Sequence, residues 1–580
     1  MGWGSDRWDL YRLAGTELAR SVRMTAAHLT SPPDILSRAR VRALVIAPHD
    51  LRTSDPTFAD DIYSGLFVFA GRSLVVSGRS PFDYDPPSPE WAQVLYGFGW
   101  LRHLRAADNA LARANARAFV SDFIAGRGDP DLASPVPVAA RRLVSFLCQS
   151  PLVLEGADHA FYQAFLKAIG RNARELERWL RRGAPPQAQL VSAVALSYAG
   201  LCCEGIEPIL RRATRVLSRE LDRQILPDGG HISRNQRFAL ELLLDLLPLR
   251  QSFLSRSIDP PEALLRAIDR MLPLFRLLRH GDASLSHFNG VGVTAADHLA
   301  TLLVYDGGAA QTMLRAPISG YERLEAGRTV VVADVGQAPG PRESAEACAG
   351  CLSFEMTSGR ERLVVNCGMP ASGFELRRVA RSTAAHSTAT VDDTSSCRFL
   401  ATPDAWWGRR LVANWLSDRY GPAILRGPTN VAVERGAEAG AATLAARHDG
   451  YLLSFGVVHE RRWTLSADGG LLEGVDAFLR EGRGSRRPHE IAVRFHLHPN
   501  VHVRGEGGGQ VELTTASGEV WRFSADGADV AIEESVYFAG VVGACRTEQI
   551  ALYLALTEGA RIRWRFVRVA EGGGGRSGPV

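Results

Sequence analysis

The strongest constraint on this chain is a change of hydrophobic period near residue 320. From Glu90 to Asp306 apolar residues recur every three or four positions, as in "PVAARRLVSFLCQSP", "IEPILRRATRVLSRELDRQIL" and "PEALLRAIDRMLPLFRLLRH". Pro, Gly and Asp separate these segments, which marks tandem helices with short connections. Beyond about Gly320 the period becomes two, in "RTVVVADVG", "ERLVVNCG", "IAVRFHLHPNVHVRGE" and "RIRWRFVRV", with Gly and Asp turns between. Helices followed by strands predict separate domains, and 580 residues exceed what one core usually serves. The expected fold is a multidomain α+β chain. An N-terminal α/α toroid, an incomplete helical barrel, spans 86–315, and an antiparallel β-sandwich spans 316–570. Residues 1–85, irregular and rich in Pro and Asp, are expected to pack along the outside of the toroid. The tail 571–580, "EGGGGRSGPV", is expected to be disordered. No fixed-length repeat points to a regular solenoid.

Charge and cysteine content narrow the function classes. A net charge of +4 on this length gives no basic face of the kind nucleic acid requires. Of 67 basic residues only Lys167 is a lysine. Guanidinium forks suit carboxylate and sulfate groups, although a GC-rich genome yields the same bias. Eight cysteines in so long a chain do not form a disulfide framework. "CAGC", Cys348 to Cys351, has redox or zinc spacing but no second CxxC to complete a metal site. The N-terminus shows no apolar h-region or small-residue cleavage site, and no apolar run is long enough to span a bilayer.

Polar residues gather in a few places. "LPDGGHISRNQRFALELLLDLLPL", from Leu226, sets His231, Arg234, Asn235 and Arg237 at the start of an apolar helix. Ser233 or Asn235 can cap that helix, and its exposed amides with the arginines can hold an anion. A capped helix with solvated arginines is the plainer alternative. "RHGDASLSHFNGVG" is a second polar loop, in which Asn289 is a candidate carboxylate neutraliser, or the loop is a surface turn. His386 and Arg381 share "RSTAAHSTATVDD". His496 and His498, at i and i+2, point to one face if both lie on a strand. With His448, and with Asp449 and His459 nearby, they are candidate zinc ligands, or else hydrogen-bonded sheet histidines. Trp100 is a candidate sugar-stacking ring or a core residue.

The segments "LPDGGHIS", "RSTAAHSTATVDD" and "RHDGYLLSFGVVHERRWTLS" resemble the heparinase II/III family, and the layout matches over most of the chain. The resemblance implies a toroid docked on a sandwich, with an acidic polysaccharide in the cleft between them. It implies uronate β-elimination, with no cofactor required and in some relatives a structural zinc in the sandwich. It also implies a place in the periplasm or cell envelope, which the missing export signal opposes. In that chemistry a donor neutralises the uronate carboxylate, a base takes the C5 proton and an acid protonates the leaving oxygen. His231 and His386 are the expected proton-transfer residues, the latter from a segment that faces the cleft in the resemblance. Arg234, Asn235, Arg237, Asn289, Arg381 and Trp100 are the expected substrate contacts. Two toroid positions depart from the family pattern. Phe238 stands where the catalytic Tyr is expected, and Gln187 and Ala188 where Asn-His is expected. The alternative is therefore a non-catalytic acidic-glycan-binding or cell-envelope protein that keeps the fold. A hydrolase ranks last, since no carboxylate pair is evident. The glycan and the oligomeric state are not legible.

Overall fold

The computed structural model describes residues 3–29, 40–181, 185–294, 296–305, 313–400, 407–482, 489–540, 543–557 and 559–570. The tail expected to be disordered, 571–580, lies outside the described residues.

In the helical half, amphipathic helices lie outside and apolar ones inside. Helix Glu207–Gln224 buries Ile209, Ala213, Leu217 and Leu221 in one stripe and turns Arg211, Arg215 and Arg219 to solvent. Its partner Pro186–Cys202 is buried along nearly its whole length. That inner helix also packs against Val136–Cys148, His159–Arg181 and Gln236–Ser255. Proline opens both Pro186–Cys202 and Glu207–Gln224, in the first turn where a missing N–H costs no intrahelical bond.

The second half is two antiparallel sheets face to face. An eight-stranded sheet runs in the order Val431–Glu438, Ala441–His448, Val457–Leu465, Leu471–Arg480, Arg561–Ala570, Val520–Asp526, Gln510–Thr514 and His502–Gly507. A nine-stranded sheet includes Asp529–Tyr537, Cys545–Ala555, Glu490–Leu497, Glu361–Val365, Phe354–Ser358, Thr329–Asp334 and Tyr321–Ala326. Between them Phe354, Trp463, Phe495 and Trp564 surround a fully buried Arg461. Its charge is met by Asp476 at 2.7 and 3.0 Å, and Asp476 also accepts from His459 at 2.6 Å and Trp564 at 2.7 Å.

The two halves share a strand. Thr329–Asp334 is buried along its whole length. Period-two alternation sends Val331 and Ala333 into the sandwich core and Val330 and Val332 into the toroid core. The unbroken apolar run in "RTVVVADVG" is thus a strand covered on both faces.

The lead-in differs in part from expectation. Val41, Ala59, Ile62, Phe67, Phe69 and Phe82 join the toroid core. Helix Trp3–Leu29 does not. It lies against helix Trp407–Tyr420 and strand Ile424–Arg426 of the sandwich half. The reason is a small apolar cluster of Leu10, Leu400, Ala413, Leu416, Tyr420 and Ala423. Glu17, itself buried, ties the two helices by bonding Tyr420 and Arg419.

Removing one partner of a buried ion pair strands the other charge. Asp476→Ala should therefore cost roughly 3–5 kcal/mol, read as a lower urea midpoint with an unchanged m-value.

Candidate functional site

The glycine pair at Gly229 and Gly230 lets the loop ahead of helix Gln236–Ser255 pass between toroid helix Glu262–Leu277 and Ser319 at the start of the sandwich. Gly229 has φ +88, and a Cβ there would lie 1.9 Å from the Arg270 carbonyl oxygen. A Cβ on Gly230 would meet Ser319 Oγ at the same distance. This close approach lets Asp228 accept from the amides of Ile318 and Ser319 at 2.8 and 2.7 Å.

Arg234 follows, buried and stacked 4.8 Å over the Tyr321 ring. It bonds Asp334 at 2.5 Å and donates to the carbonyls of Ser319, Gly320 and Gln337 at 2.8, 3.1 and 3.2 Å. Asn235 caps the helix through Phe238 N at 3.1 Å and donates to Glu346 at 3.1 Å. Asn289 donates to Asp334 and to Tyr321 at 2.9 and 3.0 Å. Three expected substrate contacts are thus fasteners between the domains, because a buried donor needs a protein acceptor. Arg237 alone of this group is exposed.

The second polar loop is likewise a seam rather than a surface turn. His280 Nε2 lies 3.0 Å from Glu355, and Glu355 also accepts from the amides of His287 and Asn366 at 3.1 and 3.0 Å. Arg362 closes the cluster on Asp282 at 2.9 Å.

The two expected proton-transfer histidines are both buried. His231 uses both ring nitrogens, on Ser233 Oγ at 2.7 Å and Gln224 at 3.0 Å. Burial lowers its pKa to about 3, so it stays neutral. His386 Nδ1 lies 2.8 Å from the Ser382 carbonyl oxygen, and its ring sits so close to Gly350 that a Cβ there would be 2.6 Å away. Arg381 donates to the carbonyls of Ala347, Ser344 and Pro422, which holds three loops together. Trp100 is a core residue, packed on Phe67 and Phe98 with its Nε1 donating to the Leu95 carbonyl.

The candidate metal ligands do not converge. His448 and His496 lie on different sheets. His448 stands 5.4 Å from His459, ring to ring. His496 is held by Ser535 at 2.7 Å and the Ala384 carbonyl at 3.0 Å. His498 falls just past the strand end at Leu497 and packs on Tyr537 instead. Among the described residues no group of three His, Cys, Asp or Glu could hold a metal ion.

The open space lies elsewhere, in the toroid groove. A cavity of about 230 Å³ is walled by Val144, Val191 and Phe238, with Arg141, Glu241 and Asp245 supplying its charge. Phe238 also touches His231, ring centroids 4.7 Å apart. Asp245 accepts from Arg141 at 3.0 Å and from Arg52 at 2.9 Å, while Arg52 reaches Glu241 at 2.8 Å. Burial would raise the Glu241 carboxyl, but Arg52 and Arg141 outweigh it and hold the group at about 2. Asp245 is lowered by the same two arginines against its own burial. Both carboxylates are therefore ionised, and neither can serve as a general acid. Sequence reasoning missed this network. Its signal was "ALELLLDLLPL", in which two carboxylates at i and i+4 interrupt an apolar helix and so demand cationic partners.

Comparison with known proteins places this geometry. A family model described as heparinase II/III-like, C-terminal, matches residues 309–565. FtsZ-localized protein C of Caulobacter vibrioides (strain NA1000 / CB15N) is 32% identical over 582 residues, covering 97% of this chain and 98% of that one. The chain belongs to the heparinase II/III family. Among solved structures, heparinase III has a TM-score of 0.70 at 13% identity, over 96% of this chain and 91% of that one. The heparan sulfate lyase HepC from Pedobacter heparinus has a TM-score of 0.55 at 14% identity, over 97% and 89%. At these identities the two structures share the heparinase II/III fold, a helical toroid followed by a β-sandwich.

Neutral buried histidines make stability pH-dependent. His231 and His496 both fall to about 3, burial being the main cause. An unfolded histidine titrates near ~6.5. Between these values the unfolded chain binds more protons, so stability falls as pH falls, by about 1.4 kcal/mol per pH unit per histidine. His231→Gln should flatten that slope by about one such increment, measured by urea unfolding at a series of pH values.

Proposed function

We propose that this chain is a binding component of the division machinery that localises with FtsZ, built on a heparinase II/III fold without standard elimination chemistry. The observation that carries the reading is the state of the groove. Elimination requires a donor free to neutralise a uronate carboxylate and an ionisable group to take the C5 proton. Here Arg52 and Arg141 are committed to Asp245 and Glu241. The wall position beside them is Phe238, which has no ionisable group. Similarity over nearly the whole of FtsZ-localized protein C supports the division role.

A second reading, cleavage of an acidic polysaccharide by β-elimination, draws on His386. Its Nδ1 is held by the Ser382 carbonyl, which fixes the tautomer with Nε2 unprotonated. The same fold without turnover is compatible with acidic-glycan binding.

The experiment pairs two measurements. A fluorescent fusion in the native cell should collect at FtsZ structures and disperse when FtsZ is depleted. Purified chain incubated with a panel of uronate-containing glycans should give no new absorbance from a conjugated double bond. Diffuse fluorescence regardless of FtsZ would overturn the first reading, and a rise in absorbance lost in His386→Ala would establish the second.

A further inference from the structure

The toroid holds a second cavity, lined by residues of neither the groove nor the seam. It measures about 240 Å³ and opens between helix Pro89–Gly97, the turn Gly126–Pro130, helix Val136–Cys148 and helix His159–Arg181. Tyr96, Phe123 and Phe146 give it aromatic walls, and Arg142 reaches it from its base.

Arg142 is 4% exposed. Its Nη1 donates to the carbonyls of Ala133 and Tyr96 at 2.9 and 3.3 Å, and its Nη2 to Asn172 Oδ1 at 3.1 Å. Of five guanidinium hydrogens, Nε–H and one on Nη2 have no protein acceptor among the described residues. No carboxylate forms an ion pair with it among those residues either. Arg52, Arg234 and Arg461 are also buried, and each meets an aspartate. Arg381 also lacks a carboxylate, but all three of its nitrogens reach carbonyls and it lines neither cavity. Burial lowers the Arg142 pKa to about 10, outweighing the attraction of the Glu175 carboxylate, and the cation persists at neutral pH. A buried charge without a bonded carboxylate is expensive, and here it borders open space. Asp129 and Glu175 line the mouth; Asp129 is occupied capping the next helix through Asp131 N at 2.8 Å, and Glu175 attracts Arg142 through space without forming a hydrogen bond or ion pair with it among the described residues. Arg171 at the rim adds a second positive charge.

We propose that this cavity binds a small monocarboxylate with a flat apolar body. The carboxylate accepts from the two open N–H groups of Arg142, and the body lies among the rings of Tyr96, Phe123 and Phe146. The Arg142 guanidinium carbon already lies 4.8 Å over the Phe123 ring centroid, which places the charge beside one of these rings.

The test is calorimetric titration of the full chain with benzoate and phenylacetate, with benzamide and benzyl alcohol as uncharged counterparts. Saturable binding of one carboxylate per chain with Kd below about 1 mM is expected. Loss of the charge-assisted contact should weaken it at least about tenfold in Arg142→Met. Ala168→Leu fills the cavity from helix His159–Arg181, leaves Arg142 in place, and should abolish the heat while keeping Tm at or above the parent's. It decides the matter should Arg142→Met not fold. Equal affinity for benzamide and benzoate would overturn the proposal. So would undiminished binding in Ala168→Leu, or no heat and no Tm shift with either carboxylate on the folded parent chain.

Discussion

A guanidinium removed from water must find acceptors for its donors, and Arg234 finds them across the domain boundary. Its carboxylate, Asp334, and its three carbonyl partners all lie between Ser319 and Gln337, where the sandwich begins. The positive φ of +59 at Arg234 is held by this set of bonds. Asp228 and Asn235 repeat the logic on either side, and Asn289 brings the second loop onto the same aspartate. Neither loop can move without stranding a buried charge. Polar contacts thus join the shared strand Thr329–Asp334 in docking toroid on sandwich, and the helix that forms the groove wall begins at their centre.

That arrangement shapes what the groove can do. Preorganised donors stabilise a developing charge only if they are uncommitted before the substrate arrives. At the groove floor Arg52 and Arg141 already neutralise Asp245 and Glu241, in a network whose carboxylates are held ionised. Such a floor is a stable, nearly neutral surface beside the Phe238 ring.

The fold was legible because two periods differ along one chain. Inner and outer helices, and the strands beyond Gly320, follow directly from where apolar residues fall. The lead-in was harder. The apolar face of Trp3–Leu29 is visible in the sequence, but its partner Leu416 lies hundreds of residues away, and pattern carries no information on such pairing. The site was legible as chemistry and not as direction. "DGGHISRN" read correctly as a polar, tightly turned helix entry. Whether Arg234 points to a ligand or to Asp334 depends on tertiary docking, which local spacing does not encode. The metal candidates failed for a similar reason, since His448 and His496 sit on different sheets and His498 falls past its strand's end. Glu241 and Asp245 were the clue passed over, for charges inside an apolar helix announce partners even when the partners are remote.

Strand Thr329–Asp334 has a consequence for how this architecture can be divided. Because alternate side chains belong to different cores, severing the chain at the change of period would leave Val330 and Val332 bare on one fragment and a matching hole in the other. Tyr321 and Ala316 would be uncovered with them. The halves are therefore poor modules. Recombination that exchanged one for a distant homologue's would have to replace this strand and its toroid-facing surroundings together, which ties the histories of the helical and sheet portions to each other.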